Sequence, residues 1–119
     1  MNKLKVNFWK PNKSGNGAAA MFEFNPDSKP VVFLTMMPQM GGDEESRKFD
    51  REKRIIMQLG LNDAAAMVTV LTNRVDGLGA KGDKGYQGLY HKNPRGSSIL
   101  GLSIKNEGEG YWLSLSGLS

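Results

Sequence analysis

Most segments of this sequence place apolar residues at every second position, which limits the chain to a fold dominated by β-strands. In the first segment, residues 3–9, Leu4, Val6 and Phe8 alternate with polar residues and Trp9. Successive side chains of a strand point to opposite faces, so this spacing predicts a half-buried strand. Six further segments that alternate or are rich in β-branched and apolar residues are predicted strands: Ala18–Asn25, Val31–Met37, Arg54–Leu59, Tyr86–Lys92, Ser98–Lys105 and Tyr111–Ser116.

Only one segment has the apolar spacing of a helix. We expect it to begin near Asn62, with Gly60 as an alternative cap, and to end before the glycine-rich segment Gly77–Gly85. Its apolar stripe is predicted from residues at i, i+3, i+4 and i+7, namely Ala64, Met67, Val68 and Leu71.

The resulting order is four strands, one helix and three strands. A length of 119 residues suits one domain, and this order predicts a single α+β domain over residues 1–119. The strand groups before and after the helix could still form two separate sheets. Turns rich in proline, glycine and asparagine separate the strands, as at Pro26–Pro30 and Asn106–Glu109.

Composition argues against most catalytic classes. The chain has no cysteine and a single histidine, His91, which leaves no thiolate metal site, no cysteine nucleophile and little acid–base chemistry. We therefore expect no enzyme activity, no metal and no cofactor. The N-terminus lacks the apolar run of a signal peptide and no apolar stretch is long enough to span a membrane, so we expect a bacterial or viral protein that works in the cytoplasm.

One glycine motif matches a nucleotide-binding fingerprint in its residue spacing but not in its predicted structural context. Gly77-x-Gly79-x-x-Gly82 has the required spacing. That fingerprint needs a strand before it and a helix after it, because the helix N-terminus holds the pyrophosphate. Here the order is reversed, so we interpret the segment as a mobile loop.

The feature that points to a partner is the mixture of basic and aromatic residues on polar strand faces. Lys3, Lys5 and Trp9 share one face of the first strand, while Trp112 lies with serines on the last. With a net charge of +4, such faces suit single-stranded nucleic acid, whose bases stack on aromatic rings and whose phosphates attract lysines. Alternatively, both tryptophans could be buried, and the basic residues of 47–54 could be an ordinary solvated face.

Three further segments carry a family likeness. Residues Phe49–Leu59 run aromatic, Asp, Arg, Glu, Lys, Arg and then an apolar alternation. Leu89–Pro94 ends a strand with Tyr, His, Lys, Asn and Pro, and a Gly96–Ser98 turn follows. Gly110–Ser116 reads Gly-Tyr-Trp-Leu-Ser-Leu-Ser. In order and spacing, over roughly residues 49–116, these segments resemble motifs of the Whirly family.

Whirly proteins, and the related transcriptional coactivator positive cofactor four, bind single-stranded DNA with sheets packed against helices, and they form dimers or tetramers. The resemblance therefore implies a Whirly-like fold of antiparallel sheets, with about seven strands and one main helix. It also implies sequence-tolerant binding of single-stranded DNA in replication, recombination or repair.

The sequence departs from the family pattern in three places. Asn16–Met21 matches the family's Lys-Gly-Lys-Ala-Ala-Leu signature without either lysine, and Lys10 and Lys13 are candidates to replace them. Arg51 stands where the family has tryptophan, which would turn a packing or stacking site into a phosphate contact. We expect no counterpart of the family's C-terminal helix after the last predicted strand. Because that helix helps to assemble the family's tetramer, the number of subunits does not carry over.

These arguments give a set of expected nucleic-acid contacts. Bases are expected to stack on Trp9, Tyr90 and Trp112. Phosphates are expected to contact the basic residues of the same segments: Lys3, Lys5, Lys10, Lys13, Lys53, Arg54 and Lys92. RNA binding by the same fold, and a structural or protein-interaction module, are the alternatives. Apolar residues on both faces of some strands, such as Ile55 and Ile56, also predict a homo-oligomer, a dimer or tetramer.

Overall fold

The computed structural model describes residues 4–11, 14, 17–24, 32–40, 48–83, 85–93, 96–105 and 110–118. Those residues form ten β-strands, one α-helix and one 3₁₀ turn, and every strand pair is antiparallel. The chain divides into two compact units, Met1–Gly60 and Leu61–Ser119. The predicted α+β class is therefore confirmed.

The first unit is one antiparallel sheet. Its strands are β1 (Leu4–Lys10), β2 (Ala18–Phe24), β3 (Val32–Met40), β4 (Lys48–Phe49) and β5 (Ile55–Leu59). β1 pairs with β2 and β2 with β3, while β4 and β5 share the far side of β3. Leu34, Met57 and Leu59 are buried on one face of this sheet, as the period-two spacing requires.

β3 runs past Pro38, where the sequence pattern predicted its end. The Gln39 N–H donates to the Gly17 carbonyl on the β2 side, at 2.9 Å, so the Pro38 nitrogen faces the opposite side. On that side the 3₁₀ turn Arg51–Lys53 separates β4 from β5. The missing N–H of proline therefore falls where no strand needs it, which explains why the strand tolerates Pro38.

The second unit contains the helix and two further sheets. Its elements are α1 (Leu61–Leu71), β6 (Lys81–Gly82), β7 (Gly85–Tyr86), β8 (Leu89–Asn93), β9 (Gly96–Lys105) and β10 (Gly110–Leu118). The main sheet has the order β10-β9-β8, and β6 pairs with β7 as a two-stranded sheet.

The predicted number of strands was too low. The seven predicted strands correspond to β1, β2, β3, β5 and β8–β10, whereas β4, β6 and β7 have two residues each and are too short to show alternation. The predicted strand Tyr86–Lys92 is divided by Gly88, whose φ of 81° is accessible mainly to glycine. The Gly88 N–H donates to the Leu78 carbonyl at 2.9 Å, and the extended strand is interrupted between β7 and β8.

The glycine-rich segment after the helix was predicted to be a mobile loop, and this is wrong for its first part. The Leu78 N–H donates to the Leu102 carbonyl at 2.9 Å, and the Asp76 backbone carbonyl accepts a hydrogen bond from the Ile104 N–H at 2.8 Å. Leu78 is also buried. The segment therefore continues the sheet along β9 beyond the end of β8.

The helix begins at Leu61, one residue before the predicted start near Asn62. It ends in a Schellman motif, in which the Arg74 N–H donates to the Thr69 carbonyl and the Asn73 N–H donates to the Val70 carbonyl. Asn73 has the left-handed φ of 62° that this motif requires.

The predicted apolar stripe of the helix was only partly right. Met67 and Val70 are buried, whereas Val68 and Leu71, two members of the predicted stripe, are exposed. The buried face of the helix is therefore rotated relative to the predicted one. It includes Val70, which is not a member of the predicted stripe.

Within the described ranges, no helix has the length and apolarity that crossing a membrane requires. Four earlier predictions fall on residues outside those ranges: the turns at Pro26–Pro30 and Asn106–Glu109, and the contacts of Lys3 and Lys13.

Candidate nucleic-acid interface

The helix covers one face of the three-stranded sheet β10-β9-β8. Leu100 and Leu102 of β9 are buried on this face, and Val70 and Met67 are the buried residues of α1, which lies against β9. Because side chains alternate along β9, Gly101 and Ser103 must point to the other face. One face is therefore core and the other is left for solvent or a ligand.

Two polar contacts connect α1 to the outer strands of this sheet. The Tyr111 hydroxyl of β10 lies 3.0 Å from the Leu71 carbonyl and 2.8 Å from Asn73 Oδ1. On β8, His91 Nε2 lies 3.1 Å from Asp63 Oδ1. The only histidine of the chain thus contacts the first turn of the helix, and its neighbours Tyr90 and Lys92 project from the opposite face.

That opposite face presents two exposed aromatic rings. Trp112 is 60% exposed and Tyr90 is 61% exposed. The strand register places Trp112 beside Ser103 and Tyr90 beside Ile99, so the two rings lie on the same face of the sheet, on its two outer strands. The predicted orientation of Trp112, with Ser114 and Ser116 and away from Leu113 and Leu115, agrees with this register.

Small residues occupy the area between the two rings. Gly101 lies opposite Ser114 on the neighbouring strand, and a Cβ placed on Gly101 would lie 2.4 Å from Ser114 Oγ. The Ser114 hydroxyl therefore occupies the space that a side chain at this position would need. We call this surface the open face; it consists of Tyr90, Lys92, Ile99, Gly101, Ser103, Lys105, Trp112, Ser114 and Ser116.

The two aromatic rings are far enough apart to contact two different nucleotides of one strand. Their partners on β9, Ile99 and Ser103, are four positions apart, or about 13 Å along the strand, and crossing two strand spacings adds about 10 Å sideways. The Cα atoms of Tyr90 and Trp112 are then about 16 Å apart along the diagonal. A flexible single strand can therefore place two different bases on the two rings.

The charges on the open face are positive. Lys105 Nζ lies 4.6 Å from the centre of the Trp112 ring, a cation–π contact, and Lys92 is exposed two residues after Tyr90. Strands β8, β9 and β10 contain no aspartate or glutamate. One lysine therefore contacts the Trp112 ring and another follows Tyr90 on the same face of β8, and no acidic side chain of these strands opposes them.

A second group of predicted residues lies in the first unit. Lys5 and Trp9 share one face of β1, and Trp9 is 63% exposed. Lys5 Nζ is 3.9 Å from Glu23 Oε2, so its charge is partly compensated. Lys10, predicted to lie just beyond the strand, is instead its last residue and alternates onto the face of Phe8.

Lys53 and Arg54 lie on an exposed 3₁₀ turn and not on a strand. The Asp50 carboxylate accepts a hydrogen bond from the Glu52 N–H at 3.0 Å, and the Arg54 guanidinium donates to the Arg51 carbonyl at 2.8 Å. β5 begins one residue later than predicted, at Ile55, because Arg54 closes the turn. Arg51 is exposed as well, so all three cations of this turn reach solvent.

The structure thus brings Tyr90, Lys92 and Trp112 onto one surface in the second unit, and Lys5 and Trp9 onto one surface in the first. Sequence reasoning missed Lys105 and Gly101. Both could have been found, because the predicted strand Ser98–Lys105 already implied that alternate residues Gly101, Ser103 and Lys105 share a face.

In the part of the chain that is described, no group of three or more histidine, cysteine, aspartate or glutamate residues is arranged to hold a metal ion. No protein-family model, curated protein or solved structure matches this chain. The resemblance to the Whirly family therefore stays a prediction from the sequence motifs.

Proposed function

We propose that this chain binds single-stranded DNA without sequence preference, and that the open face is its main binding surface. The observation that carries the proposal is the pair of exposed rings, Trp112 and Tyr90, on the uncovered side of a sheet whose other side packs against the helix. Both rings are flat and open to solvent, which is the kind of side chain on which unpaired bases stack.

Stacking explains why the ligand is single-stranded and why its sequence matters little. Every base has a π-face, and stacking on an aromatic side chain contributes about 1–3 kcal/mol per base. In a duplex those faces are already stacked, so the open face has nothing to contact. Lys92 and Lys105 supply attraction for the phosphates beside the two rings.

The residues of the first unit extend the proposal. Trp9 offers another stacking ring, with Lys5 on the same face of β1, and Lys53 and Arg54 add cations on the 3₁₀ turn.

In this proposal residues 1–119 act as one Whirly-like, non-catalytic domain in replication, recombination or repair. The domain works as a homo-oligomer in the cytoplasm of a bacterium or a virus-infected cell.

Fluorescence anisotropy with labelled oligonucleotides tests the proposal. At low salt we expect saturable binding of a single-stranded thymine oligonucleotide and at least tenfold weaker binding of a duplex of equal length. Equal affinity for both would indicate charge attraction alone, and no binding of either would remove the proposal.

The serine hydroxyls of the open face favour RNA as the second candidate ligand. Ser103, Ser114 and Ser116 can donate or accept hydrogen bonds, and 2′-hydroxyl groups are the feature by which proteins distinguish RNA from DNA. Competition between a uracil RNA oligonucleotide and a deoxyuracil DNA oligonucleotide separates the two ligands. Tighter binding of the RNA would make it the preferred one.

The lysines of the open face predict a defined salt dependence. Each phosphate that a protein neutralises on a single strand contributes about −0.7 to the slope of log affinity against log salt concentration. We therefore expect the double variant Lys92→Gln, Lys105→Gln to reduce the magnitude of that slope by about 1.4. Lys81→Gln, an exposed lysine on β6, is the control, and an unchanged slope in the double variant would exclude both lysines as phosphate contacts.

A further inference from the structure

Among the strands that the structure describes, β1 is an edge strand and pairs with β2 alone. All seven of its residues, Leu4–Lys10, are exposed. Leu4, Val6 and Phe8 are 61%, 43% and 56% exposed, although their face of the sheet continues into the buried Leu34 and Met57. Exposed edges of this length are sites where another strand can add, and β1 contains no proline or bulge that prevents it.

We propose that the partner of β1 is β1 of a second copy, paired antiparallel about a two-fold axis at Asn7. Chemical complementarity in this register supports the choice of partner. It aligns all seven residues and places Val6 opposite the partner's Phe8, so apolar side chains meet on the face that needs cover. It also places Lys5 opposite the partner's Trp9, a cation–π pair that occurs twice across the axis.

The same register avoids repulsion. Lys10 lies opposite the partner's Leu4, and neither lysine of β1 faces another lysine. Because opposite residues share a face of the sheet, the pairing can slip only in steps of two residues. A slip in either direction shortens the ladder and separates Lys5 from the partner's Trp9.

The assembly would join two five-stranded sheets into one. On the face of Lys5 it would place the two Trp9 rings and two Lys5 ammonium groups in one row across the axis. The inference specifies a contact of the homo-oligomer that the proposed function includes, and cross-linking and mass measurements test it without nucleic acid.

Single cysteines test the pairing and its register, because the chain has none of its own. Residues directly opposite in an antiparallel pair have Cα atoms about 4.5–5.5 Å apart, within the range of a disulfide. Asn7→Cys is therefore expected to form a covalent dimer on mild oxidation. Lys5→Cys alone and Trp9→Cys alone are not, because each cysteine would lie about 14 Å from its own copy.

An equimolar mixture of Lys5→Cys and Trp9→Cys is expected to form the cross-linked heterodimer. Non-reducing gel electrophoresis of the four samples measures the result. No dimer with Asn7→Cys, or equal cross-linking of all three single variants, would overturn the proposal.

Light scattering gives a measurement that needs no cross-link. The unmodified chain at micromolar concentration is expected to have twice the monomer mass, and Val6→Lys to shift it to the monomer. Val68→Lys, which changes an exposed residue of α1, is the matched control and should remain a dimer. A strict monomer for the unmodified chain would contradict the proposal. The partner of β1 would then have to be a strand of a different protein.

Discussion

Replacing Trp112 by alanine is expected to weaken binding of a single-stranded thymine oligonucleotide by about 1–3 kcal/mol, roughly 5- to 150-fold in Kd. The indole is 60% exposed, so its removal takes away a stacking surface and little packing. The cation–π contact with Lys105 is lost too, but at an exposed site it contributes only about 0.5–1 kcal/mol. Fluorescence anisotropy measures the Kd, and a thermal melt followed by circular dichroism checks that the fold is intact.

Two controls define the effect of Trp112. Trp112→Phe keeps an aromatic face and is expected to retain most of the affinity. Val68→Ala removes an exposed apolar side chain from α1 and is expected to bind as the parent chain does. If Trp112→Ala unfolds the protein, the indole is part of the core, and if it binds normally, the indole is not a stacking site.

Leu100→Ala is expected to destabilise the second unit by about 2–5 kcal/mol, because the side chain is fully buried on the helix-covered face of β9. The large cost combines the lost transfer free energy with the cavity that remains. Urea denaturation followed by circular dichroism measures the change in the free energy of unfolding.

Ile99→Ala is the matched control for Leu100→Ala. Ile99 precedes Leu100 on the same strand, but it points to the open face and is only partly buried. We expect its truncation to cost less than half as much. An equal cost for both residues would mean that both faces of β9 are core, which contradicts the description of an open face.

Local alternation predicted the long strands and the direction of their side chains. The face of Trp112 follows from Leu113 and Leu115 alone, since the period of a strand is two residues. Lys5 and Trp9 share a face for the same reason. The exposure of both tryptophans did not follow, because alternation separates two faces without telling which is covered.

The features that the sequence did not reveal depend on contacts between distant residues. The break at Gly88 is fixed by its hydrogen bond to Leu78, and the tolerance of Pro38 depends on where the 3₁₀ turn interrupts the neighbouring strand. The helix buries Val70 in place of Val68, because packing against the sheet determines which face of the helix is buried. The contact between Lys105 and Trp112 needs the register of β9 with β10.

The most direct test of the open face uses Trp112 as the only tryptophan. The chain has two, so Trp9→Phe leaves a single indole on the open face. Titration with a thymine oligonucleotide at low salt is expected to quench its fluorescence to saturation, because a stacked base lies against the ring. Binding by anisotropy without any change in the Trp112 emission would place the DNA elsewhere and contradict the account.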